Sequence, residues 1–441
     1  MASTKTDKAT ILAQFFDEGA YTELYAGTAD AVTAAFGSAA GCPVYAVVEN
    51  GGALSAKDAA KIIKVLEMAG KTGNPVVTYY DSVGADISEG LSALSASAKL
   101  AAEVAKLSGV VPQIAVVSGV CGAGAALAAA GADLCVAVKG CELFFTPPFT
   151  AKAAGDKVEN AAGAENAAKA GVAHIVAEDM EEAAAAARKL VALLPSNNLS
   201  GPAGFEFEAP DAGLDMNKYS AEAAAKAVVD GGSAVELMAG FGKNIYTALA
   251  TVNGNVCGVV SAEKELCRAC VSKAARFVRL CDSFNIPVVT VVNTEGFVKS
   301  NTEDIAGGLR EAARLTATYA DATTAKVCVI TGKAVGTAYT ALCAADVTIA
   351  LDTAVVAPIE PEAAVTVLYK EELDASANIA AETKKLAGQY VAQQAAALTE
   401  TGLADMSAGA DSVYAAVAAS LDMLLNKREQ RLPKKHGNMP L

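Results

Sequence analysis

The chain runs to 441 residues, 53% hydrophobic and 19% charged, with a formal net charge of −14. That length gives room for two cores of ordinary size, and the excess of 49 acidic over 35 basic side chains argues against nucleic acid or an anionic membrane surface as the main partner. No secretory signal opens the chain, so its ten cysteines are read as reduced, cytosolic thiols packed as small apolar residues. Cys267 and Cys270, in "LCRAC", come nearest to a pair; no second pair or histidine follows them, and no zinc site is expected.

In chain order, a short hairpin region follows "FFDEGAYTELYAG" at residues 15–27. "DAAKIIKVLEMAGK" then predicts an amphipathic helix, with Ile62, Ile63, Leu66 and Ala69 on one face and Lys61, Lys64 and Glu67 off it. An apolar strand over 76–80, a glycine-containing turn, a second helix and a second strand come next. That second strand, "VPQIAVV", runs into "SGVCGAGAALAAAGAD" at 118–133. No charge lies between Lys106 and Asp133, but Pro112, Gln113, Gly119, Gly122 and Gly124 interrupt any uniform apolar helix. We read the stretch as buried strand plus buried helix, not as a membrane span. Residues 194–215, rich in Pro, Gly and Asn, suit a linker.

Past the linker the pattern returns. "VVDGGSAVELMAG" matches the opening motif, placing Asp230 on Asp17 and Glu236 on Glu23, 213 residues apart. Gly254 falls on Gly41, Pro287 on Pro75, Gly332 on Gly119 and Asp346 on Asp133. An offset held over so long a span marks a duplicated domain. Helix alternating with continuously apolar strand implies, in each copy, a largely parallel sheet covered on both faces.

Each copy turns from strand to helix through small residues: Gly122-Ala123-Gly124 in the first, Gly336-Thr337-Ala338 in the second. Such an elbow brings backbone N–H groups close to a ligand, and the helix N-terminus adds partial positive charge. Neither elbow fits a dinucleotide fingerprint or a P-loop, and Ser118 precedes the elbow and does not sit on it. His174 and His436 are the only histidines, leaving little material for a Ser/His or Cys/His arrangement. What remains is chemistry that needs an oxyanion hole and no side-chain base. The plainer alternative is close helix–sheet packing.

The residues also carry a resemblance. "FFDEGAYTEL", "DSVGADISEG", "GVVPQIAVVSGVCGAGA", "SKAARFVRLCDSFNIPVVTVVNTEGF" and "LPKKHGNMPL" are similar to motifs of the carboxyltransferase subunits of biotin-dependent acyl-CoA carboxylases and decarboxylases. The resemblance implies an α/β fold of two crotonase-type (ClpP/crotonase) domains built of ββα units: residues 1–205 on the acyl-CoA side and 216–441 on the biotin side. It implies that amides around Ala123 and Gly124 polarise the CoA thioester carbonyl, and that those around Thr337 and Ala338 face the biotin ureido oxygen. Gly84, Ala85, Gly122, Gly296, Phe297 and Gly336 would line the substrates. The implied partners are a separate biotin carboxyl carrier protein, a biotin carboxylase or membrane decarboxylase subunit, and a homo-oligomer or paralogous carboxyltransferase subunit. The location would be cytoplasmic, peripheral to a membrane only through partners.

The sequence departs from the family pattern at Val83-Gly84-Ala85-Asp86, Asn293-Thr294-Glu295, Ala123 and Thr337. Two alternatives therefore stay open: a biotin-independent crotonase-like hydrolase or isomerase using Asp86 or Glu295, and a degenerate paralogue serving as a scaffold. Lys57, Lys61, Lys64 and Lys71 are read as a solvated helix face, with contact to CoA phosphates as the alternative. His174 is expected to be structural, Asp133 and Asp346 to cap the turns after the elbow helices, and the basic tail from Asn426 to dock. Glu89 has no expected task.

Overall fold

The computed structural model describes residues 7–26, 31–210, 212–434 and 436–438. Gly27 of the opening motif, Lys435 and residues 439–441 of the tail lie outside them. The chain forms two compact units, one of residues up to 203 with Leu237–Phe241, the other of Gly204–Glu236 and the rest from Gly242.

The first unit contains α1 (Lys8–Phe15), β1 (Tyr21–Leu24), β2 (Val32–Ala39), β3 (Cys42–Glu49), α2 (Ala56–Thr72), β4 (Val76–Ser82), α3 (Leu91–Leu107), β5 (Gln113–Gly122), α4 (Ala123–Gly131), β6 (Leu134–Val138), β7 (Glu142–Phe144), β8 (Ile175–Ala177) and α5 (Met180–Leu193). Its sheet has the order β1-β2-β3-β4-β5-β6-β8, with β7 pairing the end of β5. β1, β2 and β3 are antiparallel and the rest parallel. The parallel strands are buried along nearly their whole length, which is why they read as continuous apolar runs.

The second unit repeats this plan with β9 (Val235–Glu236), β10 (Ile245–Val252), β11 (Asn255–Leu266), α6 (Arg268–Ser283), β12 (Val288–Phe297), α7 (Asn301–Ile305), α8 (Gly308–Asp321), β13 (Lys326–Ile330), β14 (Lys333–Val335), α9 (Thr337–Leu342), β15 (Val347–Leu351), β16 (Val355–Ala357), α10 (Ile379–Glu400), β17 (Met406–Ala408) and α11 (Val413–Leu424). The order is β17-β15-β13-β12-β11-β10-β9, and β14 leaves this sheet to pair β16. What is one strand, β5, in the first unit is two, β13 and β14, in the second.

Repeated residues do repeated work. Asp17 accepts the N–H groups of Ala40 and Gly41 (both 2.9 Å) at the β2–β3 turn, and Asp230 accepts those of Asn253 and Gly254 (both 2.9 Å) at the β10–β11 turn. The expectation for Asp133 and Asp346 needs correction. Their carboxylates reach back to the strand before the elbow, taking the N–H of Gln113 (2.9 Å) and of Lys326 (2.8 Å). Those donors open β5 and β13 and have no ladder partner on that side, so a carboxylate satisfies them.

α2 starts at a capping box of Ser55 and Asp58 and stops at Gly73, whose φ of 68° takes the left-handed turn. It buries Ile62, Val65, Leu66 and Ala69, each large side chain contributing roughly 1.5–3 kcal/mol. Lys61 is buried as well, which corrects its reading as a solvated lysine. Three residues after Asp58, it falls inside the apolar stripe, and its counterpart Lys273 on α6 is buried too.

His174 lies at the entry to β8, its Nδ1 accepting the N–H of Cys135 at 3.1 Å, a structural role. The tail docks on its own unit: Lys427 meets Asp346 at 2.8 Å, Arg431 pairs with Asp282 and Lys434 with Asp321. Among the described residues no helix is long and apolar enough to cross a membrane.

Candidate active site

The first elbow joins β5 to α4 and is latched by a neighbouring strand. Asp81, near the end of β4, accepts the Val120 N–H at 3.1 Å through Oδ1. A methyl group on Gly119 would stand 2.2 Å from that same oxygen, so only glycine admits the latch. Gly122 is pressed against the Phe144 ring, where an added Cβ would lie 2.6 Å from it. The chain then turns through Ala123 at φ 51°, a left-handed conformation that an alanine adopts at a cost of about 1 kcal/mol. Gly124 follows in the first turn of α4, whose leading N–H groups have no partner within the helix.

The loop after β4 is brought to this elbow. Gly84, at φ 107°, donates its N–H to Ser82 Oγ (3.1 Å), and a methyl on it would lie 3.7 Å from the Gly122 carbonyl oxygen. Ala85 bridges to Leu54. Glu89 has a task that the sequence did not reveal: its Oε2 accepts the Ala56 N–H at 2.7 Å, holding the start of α2 against this loop.

The second elbow is built alike. Asn293 Oδ1 accepts the Lys333 N–H at 3.0 Å, and a methyl on Gly332 would stand 2.2 Å from that oxygen. Gly336 turns the chain at φ 56°, so Ala123 and Gly336 occupy the same bend, and Thr337 stands where Gly124 does. Gly296, at φ 95°, donates to Thr294 Oγ1 at 3.1 Å as Gly84 does to Ser82, and Phe297 pairs with Leu266 in the β11–β12 ladder. Gly336 and Thr337 open onto a cleft of about 450 Å³ shared with Tyr339, Pro358, Gln394 and Thr401. Ala338 is fully buried behind them. Gln394, on α10, and Thr401, its C-cap, were not found from sequence; their only signal is i, i+7 spacing.

Electrostatics separate the two elbows. Glu49, at the end of β3, accepts the Asp81 N–H through Oε2 at 3.1 Å, while its buried Oε1 has no partner among the described residues. Burial, with the Asp81 charge added, pushes this carboxyl up to about 8. Cys121 on the elbow strand is pushed up by burial, with Glu49 contributing. Asp86 is turned onto Ser88, whose hydroxyl (2.7 Å) and N–H (2.9 Å) it accepts, and these bonds hold it below its ordinary value. Glu295 is paired with Lys333 at 2.7 Å. Both acids nominated for a base-catalysed alternative are thus engaged.

Two ββα sheets, each ending in an elbow latched by a neighbouring strand, define a crotonase-type α/β protein. The carboxyl transferase domain model matches residues 11–439. The methylmalonyl-CoA decarboxylase subunit alpha of Veillonella parvula is 34% identical, covering 93% of this chain and 86% of that protein. The methylmalonyl-CoA carboxyltransferase 12S subunit of Propionibacterium freudenreichii subsp. shermanii is 32% identical over 93% and 84%. A transcarboxylase 12S crystal structure, a hexamer with methylmalonyl-CoA bound, superposes with a TM-score of 0.91 at 30% identity, covering 98% of this chain and 91% of that one. The chain belongs to the carboxyl transferase family, as a carboxyltransferase of the biotin-dependent acyl-CoA carboxylases and decarboxylases.

Proposed function

We propose that the chain moves a carboxyl group between carboxybiotin and methylmalonyl-CoA or a similarly short acyl-CoA, with residues 1–205 taking the thioester and 216–441 facing biotin. The observation that carries this reading is the twin latch: Asp81 on Val120 beside Gly119, and Asn293 on Lys333 beside Gly332. One elbow built twice suits a reaction that needs two oxygens polarised, one on each reactant.

The amides of Ala123 and Gly124 bind the thioester oxygen and stabilise the charge that develops on it as the α-carbon becomes enolate-like. Gly84 keeps the approach clear of side chains, and Gly122 lets the strand end pack on Phe144 without moving the elbow. The cleft at Gly336 and Thr337 fits the biotin headgroup: it is open, partly apolar, and edged by the Gln394 amide and the Thr401 hydroxyl, which can serve a neutral polar ring. Biotin supplies the ureido nitrogen that carries the carboxyl group. Thr337 narrows the approach on that side through its branched Cβ while its N–H survives. A biotin carboxyl carrier protein, a biotin carboxylase or membrane decarboxylase subunit, and further carboxyltransferase copies complete the assembly, with the chain itself in the cytoplasm.

The test is incubation of the purified chain with malonyl-, methylmalonyl- and glutaconyl-CoA, with and without free biotin, followed by mass spectrometry of the thioester. Decarboxylated methylmalonyl-CoA that appears only with biotin is the expected result. Product formed without biotin would overturn the reading and restore the hydrolase-like alternative; thioester binding without turnover would point to the scaffold alternative.

A further inference from the structure

The sequence LCRAC has no part in the chemistry above. Its cysteines were read as packed thiols, yet they stand at C-x-x-C spacing, and the structure sets Cys267 Sγ and Cys270 Sγ 3.3 Å apart. Cys267 is the N-cap of the 16-residue helix α6 and is partly exposed; Cys270, in the first turn, is 1% exposed. Two sulfurs in contact on one helical turn are placed to be joined by a disulfide bond. Cys267 makes no capping hydrogen bond, so nothing in the helix start depends on its thiol.

The surroundings are built around the pair. Arg268, between the cysteines, fixes the turn by giving its N–H to Glu303 Oε1 (2.5 Å) and its guanidinium to the Ala306 carbonyl (3.0 Å). On the inner side, Gly242 packs so tightly that an added Cβ would lie 2.8 Å from the Cys270 backbone. Burial pushes the Cys270 thiol up to about 11, so it is inert toward solvent oxidants and reacts only with a sulfur already in contact. Lys273 is buried one turn further on, and burial pushes its ammonium down to about 8, with Glu236 and Cys270 opposing that shift.

We infer that Cys267 and Cys270 form a dithiol site that exchanges with small-molecule disulfides of the glutathione class, Cys267 as the entry sulfur and Cys270 as the resolving one. Cys267, as thiolate, attacks the external S–S bond; a new S–S bond joins it to one half and the other half leaves as a thiol. Cys270 then gives up its proton and attacks Cys267 Sγ, expelling the second half. The dithiol is oxidised by two electrons, the external disulfide is reduced to two thiols, and the two cysteine protons end on those thiols. The inference goes beyond carboxyl transfer and stands whether or not that reading holds.

The experiment equilibrates the native, full-length chain in mixtures of oxidised and reduced glutathione, quenches with acid and alkylating reagent, and digests with trypsin. Cleavage after Lys264, Arg268 and Lys273 separates residues 265–268 from 269–273 unless a disulfide joins them. The expected result is loss of the two separate peptides in favour of the joined pair, reversed by dithiothreitol, while the partly exposed Cys42 remains alkylated. Cys270→Ser should instead trap one glutathione on Cys267, and a serine in place of Cys270 keeps the turn intact. Separate peptides at every glutathione ratio would overturn the inference, as would a joined pair that forms only in denaturant or a Cys270→Ser chain that gains no adduct.

Discussion

The two elbows share a skeleton and differ in their chemistry. Each is latched by a side-chain oxygen from the neighbouring strand and turns through a left-handed residue, at φ 51° for Ala123 and 56° for Gly336. The first latch is a carboxylate with the buried acid Glu49 on its N–H; the second is the amide of Asn293, and Ala262 holds the position corresponding to Glu49 in the strand register. Only the second elbow carries the bulk of Thr337 and the polar edge of α10. The difference teaches that duplication preserved the backbone device while the side chains around it diverged, leaving a buried, raised carboxyl beside the first latch and an alanine in its place beside the second.

The comparison breaks most completely at the latches. Gly119→Ala and Gly332→Ala would each drive a methyl group into the latch oxygen. We expect each to lower kcat by ~10²–10³, the usual effect of losing one oxyanion donor, in a steady-state assay of biotin-dependent decarboxylation.

The hairpin anchors sharpen it next. Asp230 is 2% exposed and also accepts hydroxyls from Thr251 and Tyr414, both at 2.6 Å. Asp230→Ala strands several buried donors and should cost ~3–5 kcal/mol in denaturant unfolding. Asp17 does the same work with its side chain 31% exposed and with Arg188 at 2.6 Å. Burial alone would raise its carboxyl, but the bonds from Gly41, Ser38, Arg188 and Ala40 outweigh this and bring it to about 2. Asp17→Ala should cost less, ~1–2 kcal/mol.

Proton sensitivity gives a third contrast. The folded value of Glu49, about 8, lies above its value in an unfolded chain, ~4.3, so between the two the unfolded chain binds fewer protons. Its contribution is therefore complete below ~4.3 and is lost as pH rises toward 8, with a slope of up to ~1.4 kcal/mol per pH unit. Glu49→Gln should flatten that decline, and Ala262→Ser in the second unit should not; urea midpoints from pH 5 to 9 would show it.

The smallest effect is expected at the bend itself. Ala123→Gly removes the left-handed strain and should raise stability by up to ~1 kcal/mol, whereas Gly336→Ala should lower it by a similar amount.

The duplication and both elbows were legible because glycines, an aligned Asp and apolar strands recur at a fixed offset, and each reports a backbone demand. Residues whose task is set by a distant partner were not. Lys61 looked like a surface lysine because its helix offers alternating lysines, and only packing shows which one points inward. Asp133 and Asp346 have unpaired strand donors for partners, and a sequence does not display a missing ladder bond. The latch pairs Asp81–Val120 and Asn293–Lys333 were hidden because each spans about 40 residues. Gln394 and Thr401 approach their cleft from a helix without a motif.

The division of labour between the elbows is tested most directly by calorimetric titration of methylmalonyl-CoA into Gly332→Ala and Gly119→Ala chains, with circular dichroism confirming the fold. If the first elbow serves the thioester and the second serves biotin, Gly332→Ala binds the thioester like the unmodified chain while its biotin-dependent turnover falls, and Gly119→Ala binds the thioester more weakly. Equal loss of thioester affinity in both variants would contradict that division.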